Sequence, residues 1–258
     1  MKKIIALLTV VLLTITSCSK EDDNSNLSSN GFVVTNNQKA TGSSSRDILS
    51  DQKFKSMVIE LVYVQGYEPT TAAVNNFVSF LESRINKSAG ITVVKRGIAS
   101  PAKDTFTNQE IAAIEDANRT KYNTATQIAV WAFFADGASA SNAGNSVVLG
   151  TAYRNTSFVI YEKTIQGLSS SPFQPSRSLL ETTVMSHEFG HILGLTNLGA
   201  PLQSNHEDAE HAKHCNVNTC LMYWSAETSG GIANMVSGGA VPKLDAQCIA
   251  DLRANGGK

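Results

Sequence analysis

The sequence predicts an α/β domain: a twisted, mostly parallel sheet with one antiparallel strand, flanked by helices, then an irregular C-terminal subdomain that ends in a helix. Three observations lead there. Apolar runs rich in β-branched residues alternate with segments of helical period. A three-residue link, Arg154-Asn155-Thr156, joins two short runs late in the chain. After the last strong helix no sustained period returns until near the C-terminus.

The elements follow in order. Met57 to Val64 is a β-branched apolar run suited to a buried strand. Pro69-Thr70 opens a helix in which Val74, Phe77, Val78, Leu81 and Ile85 share one face, and Gly90 marks its limit. Ile91 to Arg96 is a second strand. Thr107 and Glu110 have the spacing of a capping box, starting a helix through Ile111, Ile114 and Ala117 towards Tyr122. Gln127 to Phe134 is apolar on both faces, as a central parallel strand requires. Gly137 to Asn145 reads as a small-residue loop. Ser146 to Tyr153 and Ser157 to Tyr161 form the hairpin around the short link. Ser169 to Pro175 is a loop before a strong helix from about Ser176 to Leu195. Pro242 to Asn255 closes the chain as a helix with Leu244, Ile249 and Leu252 inward.

The chain has 258 residues, 42% of them hydrophobic, enough for a sizeable core. A net charge of −1 leaves no basic footprint for nucleic acid, so none is expected as a partner. Mean hydropathy of −0.09 excludes a polytopic membrane protein. Four cysteines are too few for a disulfide-built scaffold.

The first residues set a compartment. Met1-Lys2-Lys3 is basic, and Ile4 to Ile15 is apolar but too short for a spanning helix. The small residues leading into Cys18 resemble a bacterial lipobox, which implies a signal peptide over 1–17 and lipidation of Cys18. The acidic run Glu21-Asp22-Asp23 is similar to the surface-export signal of Bacteroidetes-type lipoproteins, and the rival reading is a solvated linker. The resemblance implies a chain anchored by lipid at the outer membrane and exposed at the cell surface, with no other membrane contact. Residues 18–50, rich in Ser, Asn, Thr and Gly, read as a flexible tether, leaving 51–258 as the catalytic domain.

All five histidines fall between His187 and His214. His187 and His191 are four apart on the strong helix, so both rings leave one face, a separation suited to two nitrogen ligands on Zn²⁺. Glu188 lies beside the first of them and can reach a metal-bound water without being a ligand. This is the His-Glu-x-x-His pattern of zinc peptidases. Gly194, three residues past His191, lets the chain turn out of the helix.

With Gly194 included, the motif resembles the metzincin metallopeptidases. The resemblance implies a third ligand three residues after the glycine, where this chain has Asn197, a poor zinc donor. The segment His214-Cys215-Asn216-Val217-Asn218-Thr219-Cys220-Leu221-Met222 is similar to archaemetzincins, which implies His214 as third ligand and Met222 as the Met-turn beneath the metal. Leu195 to Lys213 then reads as an insertion. His206, His211, Asn197, Glu207 and Asp208 remain alternatives for the third ligand. The later Cys-x-x-Cys that completes a second zinc site in that family is missing, only Cys248 being present, so no second metal is carried over. A disulfide between Cys215 and Cys220 is a candidate, competing with a pairing of Cys248 and with a free Cys248.

These residues imply a monomeric zinc endopeptidase acting on peptides or proteins, with Glu188 as general base. Tyr223 is a candidate helper, more simply read as a packed aromatic, and Trp224 reads as core. A substrate strand would add to the edge Ser146 to Tyr153. Two rivals stand beside this reading. One is a zinc-binding surface lipoprotein without catalysis. The other is a structural zinc closed by a fourth ligand such as Cys215.

Overall fold

Two neighbouring strands fix the middle of the molecule. Gln127–Phe134 is apolar throughout its buried length. Ser56–Val64 is likewise apolar except for buried Glu60, whose carboxylate is held by Arg96 and the Thr120 and Lys121 amides. Only a layer covered on both faces hides such runs. The computed structural model describes residues 26–28, 31–144 and 147–258. In chain order its elements are α1 (Ser45–Leu49), β1 (Ser56–Val64), α2 (Thr71–Glu82), β2 (Ile91–Ile98), β3 (Thr105–Phe106), α3 (Asn108–Asn118), β4 (Gln127–Phe134) and β5 (Ala138–Ser139). There follow β6 (Gly150–Arg154), β7 (Ser157–Ile160), α4 (Glu162–Leu168), α5 (Arg177–Ile192), α6 (Ser229–Met235) and α7 (Ala246–Ala254). The main sheet has the order β2-β1-β4-β7-β6, and every pair is parallel except β6 with β7. The mostly parallel sheet with one antiparallel strand is the architecture the sequence predicts. A small parallel pair, β3 with β5, stands apart.

One face of the sheet packs on α2 and α5. Phe77, Phe158 and Phe189 meet there edge to face, with centroids 5.4 to 6.3 Å apart. Each buried aromatic contributes about 1.5–3 kcal/mol relative to exposure. The other face carries a smaller core around Trp131, Phe133 and Tyr161, covered on the side of α3 by Ile111. The capping box is formed: Thr107 Oγ1 accepts from the Glu110 amide, and Glu110 accepts from the Thr107 amide. Buried Glu181 accepts from the Thr70 amide, tying α5 to the start of α2.

Several expectations shift. The helix expected to run towards Tyr122 stops at Asn118, because Arg119 turns extended to pair with Glu115 and to donate to the Ala129 carbonyl. The helix α4 was not anticipated, since seven residues give too little period to read. The closing helix begins at Ala246, capped by Asp245, rather than at Pro242.

The expected tether is folded over much of its length. Ile48 and Leu49 on α1 are fully buried, and Asn37 donates to Asn123, Thr156 and the Ala129 carbonyl. The Asn155 side chain, at the β6–β7 turn, donates to the Asn36 carbonyl and to Ser44. A polar composition is compatible with burial when every amide finds a partner, and such partners lie far off in sequence. The expected signal peptide, Cys18 and the acidic run lie outside the described residues. Among those described, no helix is long and apolar enough to cross a membrane.

Candidate metal centre

The helix α5 starts at the Ser176 cap, where the hydroxyl accepts from the Leu179 amide. It ends at Ile192 because Gly194 takes a φ of +79°. A Cβ at Gly194 would come within 2.7 Å of Ser45 and the Ala200 amide, so the exit from the helix requires glycine twice over. From there the chain loops outwards and returns at Lys213, which delivers His214 to the helical pair.

The three rings converge. His187 Nε2 and His191 Nε2 are 3.1 Å apart, and the His214 ring stacks on that of His187 with centroids 5.4 Å apart. Two of the three outward nitrogens are held: His187 Nδ1 lies 2.7 Å from the Leu221 carbonyl and His214 Nδ1 3.2 Å from that of Ala212, while His191 Nδ1 is buried without a partner. The two held Nδ1–H groups therefore donate to carbonyls, and the Nε2 lone pairs of those rings turn inwards. Burial, then repulsion from His187, pushes His191 well below the ordinary histidine range, so it is a neutral donor. His214 Nε2 is buried without a hydrogen-bond partner. That nitrogen is orphaned beside the His187–His191 pair, and a cation between the rings would satisfy all three inward nitrogens. Three imidazoles are a donor set that Zn²⁺ accepts while leaving room for solvent.

Met222 lies beneath. A Cβ on Gly190, between the two helical histidines, would overlap Met222 Sδ, so the floor is fitted to a glycine. Glu188 is fully buried, and neither carboxylate oxygen has a hydrogen-bond partner. Burial, reinforced by the charge of Glu227, pushes its pKa well above the usual carboxylate range. The backbone of β6 passes close by: a Cβ on Gly150 would stand 2.7 Å from Glu188 Cγ. The cleft above is bordered by Thr41, Thr151, Ala152, Lys213 and Glu227.

The structure thus brings together His187, Glu188, His191, His214 and Met222. It adds Glu227, which the sequence reading missed because nothing marks a glutamate five residues past a methionine. The other candidates are elsewhere. Asn197 donates to Glu207, and His211 stacks on Trp224 at 4.4 Å while facing Asp208. Trp224 is only partly buried and is not core. Tyr223 borders a different hollow, with Asn218 and Asn234, and not the cleft.

His206 belongs to a second donor cluster. Its Nδ1 is 3.5 Å from Cys215 Sγ, and its Nε2 is 2.7 Å from Asp251 Oδ2, with ring and carboxylate both fully buried. Donor atoms of His206, Cys215, Asp245 and Cys248 lie within 4.8 Å of one another, and Cys220 Sγ is 3.6 Å from Cys248 Sγ. The Cys220 and Cys248 thiols beside it pull Cys215 far below the usual thiol range and are themselves raised, Cys220 to about 12. All three cysteines are free. The candidate Cys215–Cys220 disulfide is therefore corrected: Cys215 Sγ faces His206 Nδ1, and Cys220 Sγ faces Cys248 Sγ. Cys215 likewise does not close the imidazole site, since its side chain leaves on the opposite side from His214.

No family model and no curated protein matches this sequence. Among solved structures, the chain is similar to an archaemetzincin from Methanopyrus kandleri: 16% identity, 78% of this chain and 96% of that one, TM-score 0.53. It is also similar to a zinc-dependent peptidase from Methanocorpusculum labreanum (strain Z): 12% identity, 75% and 99% coverage, TM-score 0.48. The chain has the archaemetzincin-like fold.

Proposed function

We propose that this chain is an extracytoplasmic zinc-dependent endopeptidase. The observation that carries the reading is the convergence of three inward imidazole nitrogens beside a buried carboxylate without a partner, at the floor of a cleft. The likeness to the archaemetzincin structure supports it at the level of the fold. His187, His191 and His214 would hold the zinc, which supplies a Lewis acid for the scissile carbonyl and a lowered pKa, towards ~7, for its water.

The chain's own groups do the rest. With the charge of a bound cation offsetting its burial, the ionised Glu188 would accept the proton of the attacking water at a carboxylate oxygen and pass it to the leaving amine. Its lack of other partners leaves both oxygens free for that traffic. Met222 and Gly190 keep the floor apolar, so the imidazoles hold their orientation. A substrate strand would add to the outer edge of β6, where Thr41 Oγ1 already donates to the Ala152 carbonyl at mid-strand. The edge available is shorter than the sequence suggests. Val148 bridges to Thr228, and the Leu149 amide donates to the Glu227 carbonyl, so residues 147–149 are covered. The second cluster would hold a closed zinc through Cys215, Cys220, Cys248 and His206, because the Asp245 carboxylate is engaged in capping α7. His206, from the insertion, takes the place left by the missing Cys-x-x-Cys. A lipid on Cys18 would keep the domain at the outer membrane.

The test is Glu188→Gln against a diverse peptide library at equal zinc content. We expect cleavage by the wild type and a loss of about 10²–10⁴-fold in kcat for the variant. Undiminished cleavage by the variant removes Glu188 as the base, and no cleavage by the wild type overturns the reading in favour of a binding protein.

A further inference from the structure

Glu227 ends a short 3₁₀ turn, Trp224–Glu227, just beyond the methionine floor. Its main chain is clamped: its carbonyl accepts from the Leu149 amide, and the Ser229 amide donates to the Val147 carbonyl. From this fixed base the carboxylate points at the imidazole nitrogens. Oε1 is 3.4 Å from His214 Nε2, while Oε2 is 3.7 Å from His187 Nε2 and 3.9 Å from His191 Nε2. Ligands on one tetrahedral zinc, with bonds of about 2.0–2.2 Å, are about 3.3–3.5 Å apart. One oxygen therefore stands at the spacing of a ligand, and the other a few tenths of an ångström beyond it. Glu188 is not paired with any of the three nitrogens, so the two carboxylates differ in kind: one flanks the centre, the other faces it.

We propose that Glu227 is a fourth, displaceable ligand of the metal that His187, His191 and His214 would hold. The inference rests on the metal site of the proposed function and deepens it. In the resting protein the carboxylate closes the coordination shell. When water, a substrate carbonyl or a small anion enters, one coordinate bond to Glu227 would break and one to the incoming oxygen or nitrogen would form, with no change in oxidation state, so the hydrolytic water gains its place as the carboxylate leaves. The partial exposure of its side chain, 27%, leaves the carboxylate room to swing into the cleft. The clamp on its backbone keeps it near enough to return.

The experiment uses the full chain loaded with cobalt(II), comparing wild type, Glu227→Gln and Glu227→Ala. Visible d–d bands report the ligand field, and azide titrations report access to the fourth position. We expect the bands to change in both variants and azide to bind at least about tenfold more tightly in Glu227→Ala, with Glu227→Gln between. Unaltered circular dichroism shows that the variants are folded. Identical bands and identical azide affinity in all three proteins, each holding cobalt that His187→Ala loses, overturn the ligand role. If His187→Ala loses no cobalt, the metal site itself falls, and the proposal with it. If azide behaves as expected but the wild type cleaves no peptide, the peptidase reading alone falls.

Discussion

His214 and Cys215 are neighbours in the chain, yet their side chains serve two donor clusters of opposite character. Around His214 the donors are imidazoles, the floor is a thioether, and a cleft opens above. Around Cys215 the donors are thiols and one histidine backed by a buried carboxylate, sealed from solvent. The first is the chemistry of a centre that exchanges ligands, the second that of a centre that does not. The comparison teaches how a long, irregular insertion can present a ligand accurately. The main chain at Cys215 is anchored on one side by donation of its amide to the Met222 carbonyl, and on the other by its sulfur in the closed cluster. His214 inherits that precision.

The contrast can be broken most severely at the closed cluster. Cys248→Ala should lose one equivalent of zinc and destabilise the protein by more than about 4 kcal/mol, read by metal analysis and denaturant unfolding. Retention of both equivalents would merge the two clusters into one. A graded version is Asp251→Asn, which removes the acceptor that orients His206. Zinc at the thiol cluster should weaken by about 10–100-fold in chelator competition, while the imidazole site keeps its affinity. Equal weakening at both sites would deny their independence. The mildest change is Gly190→Ala, which presses a methyl group into Met222. It should cost about 1–3 kcal/mol of stability and lower hydrolysis without releasing zinc from the thiol cluster. Thermal unfolding and single-turnover rates separate the two effects.

The parts of this account that were legible in the sequence share a cause: their information is local. The i, i+4 histidines, the Gly194 exit and the Thr107–Glu110 box each lie within a few residues, and the period of α2 appears within three turns. His214 and Met222 were reached through the resemblance rather than through spacing alone. The rest depends on contacts between distant residues. Nothing near His206 announces that Asp251 will bind its ring, and nothing near Asn37 announces the Ala129 carbonyl. Glu227 acquires its role only because the chain entering β6 pairs with the turn after Met222. That pairing also covers residues 147–149 of the edge, Ser146 to Tyr153, expected for substrate.

The most direct measurement is a crystal of the zinc-loaded protein with anomalous difference maps on either side of the zinc absorption edge. Two peaks are predicted, one among His187, His191 and His214 and one among His206 and the three cysteines. A map with no peak between the three imidazoles would contradict the account at its centre.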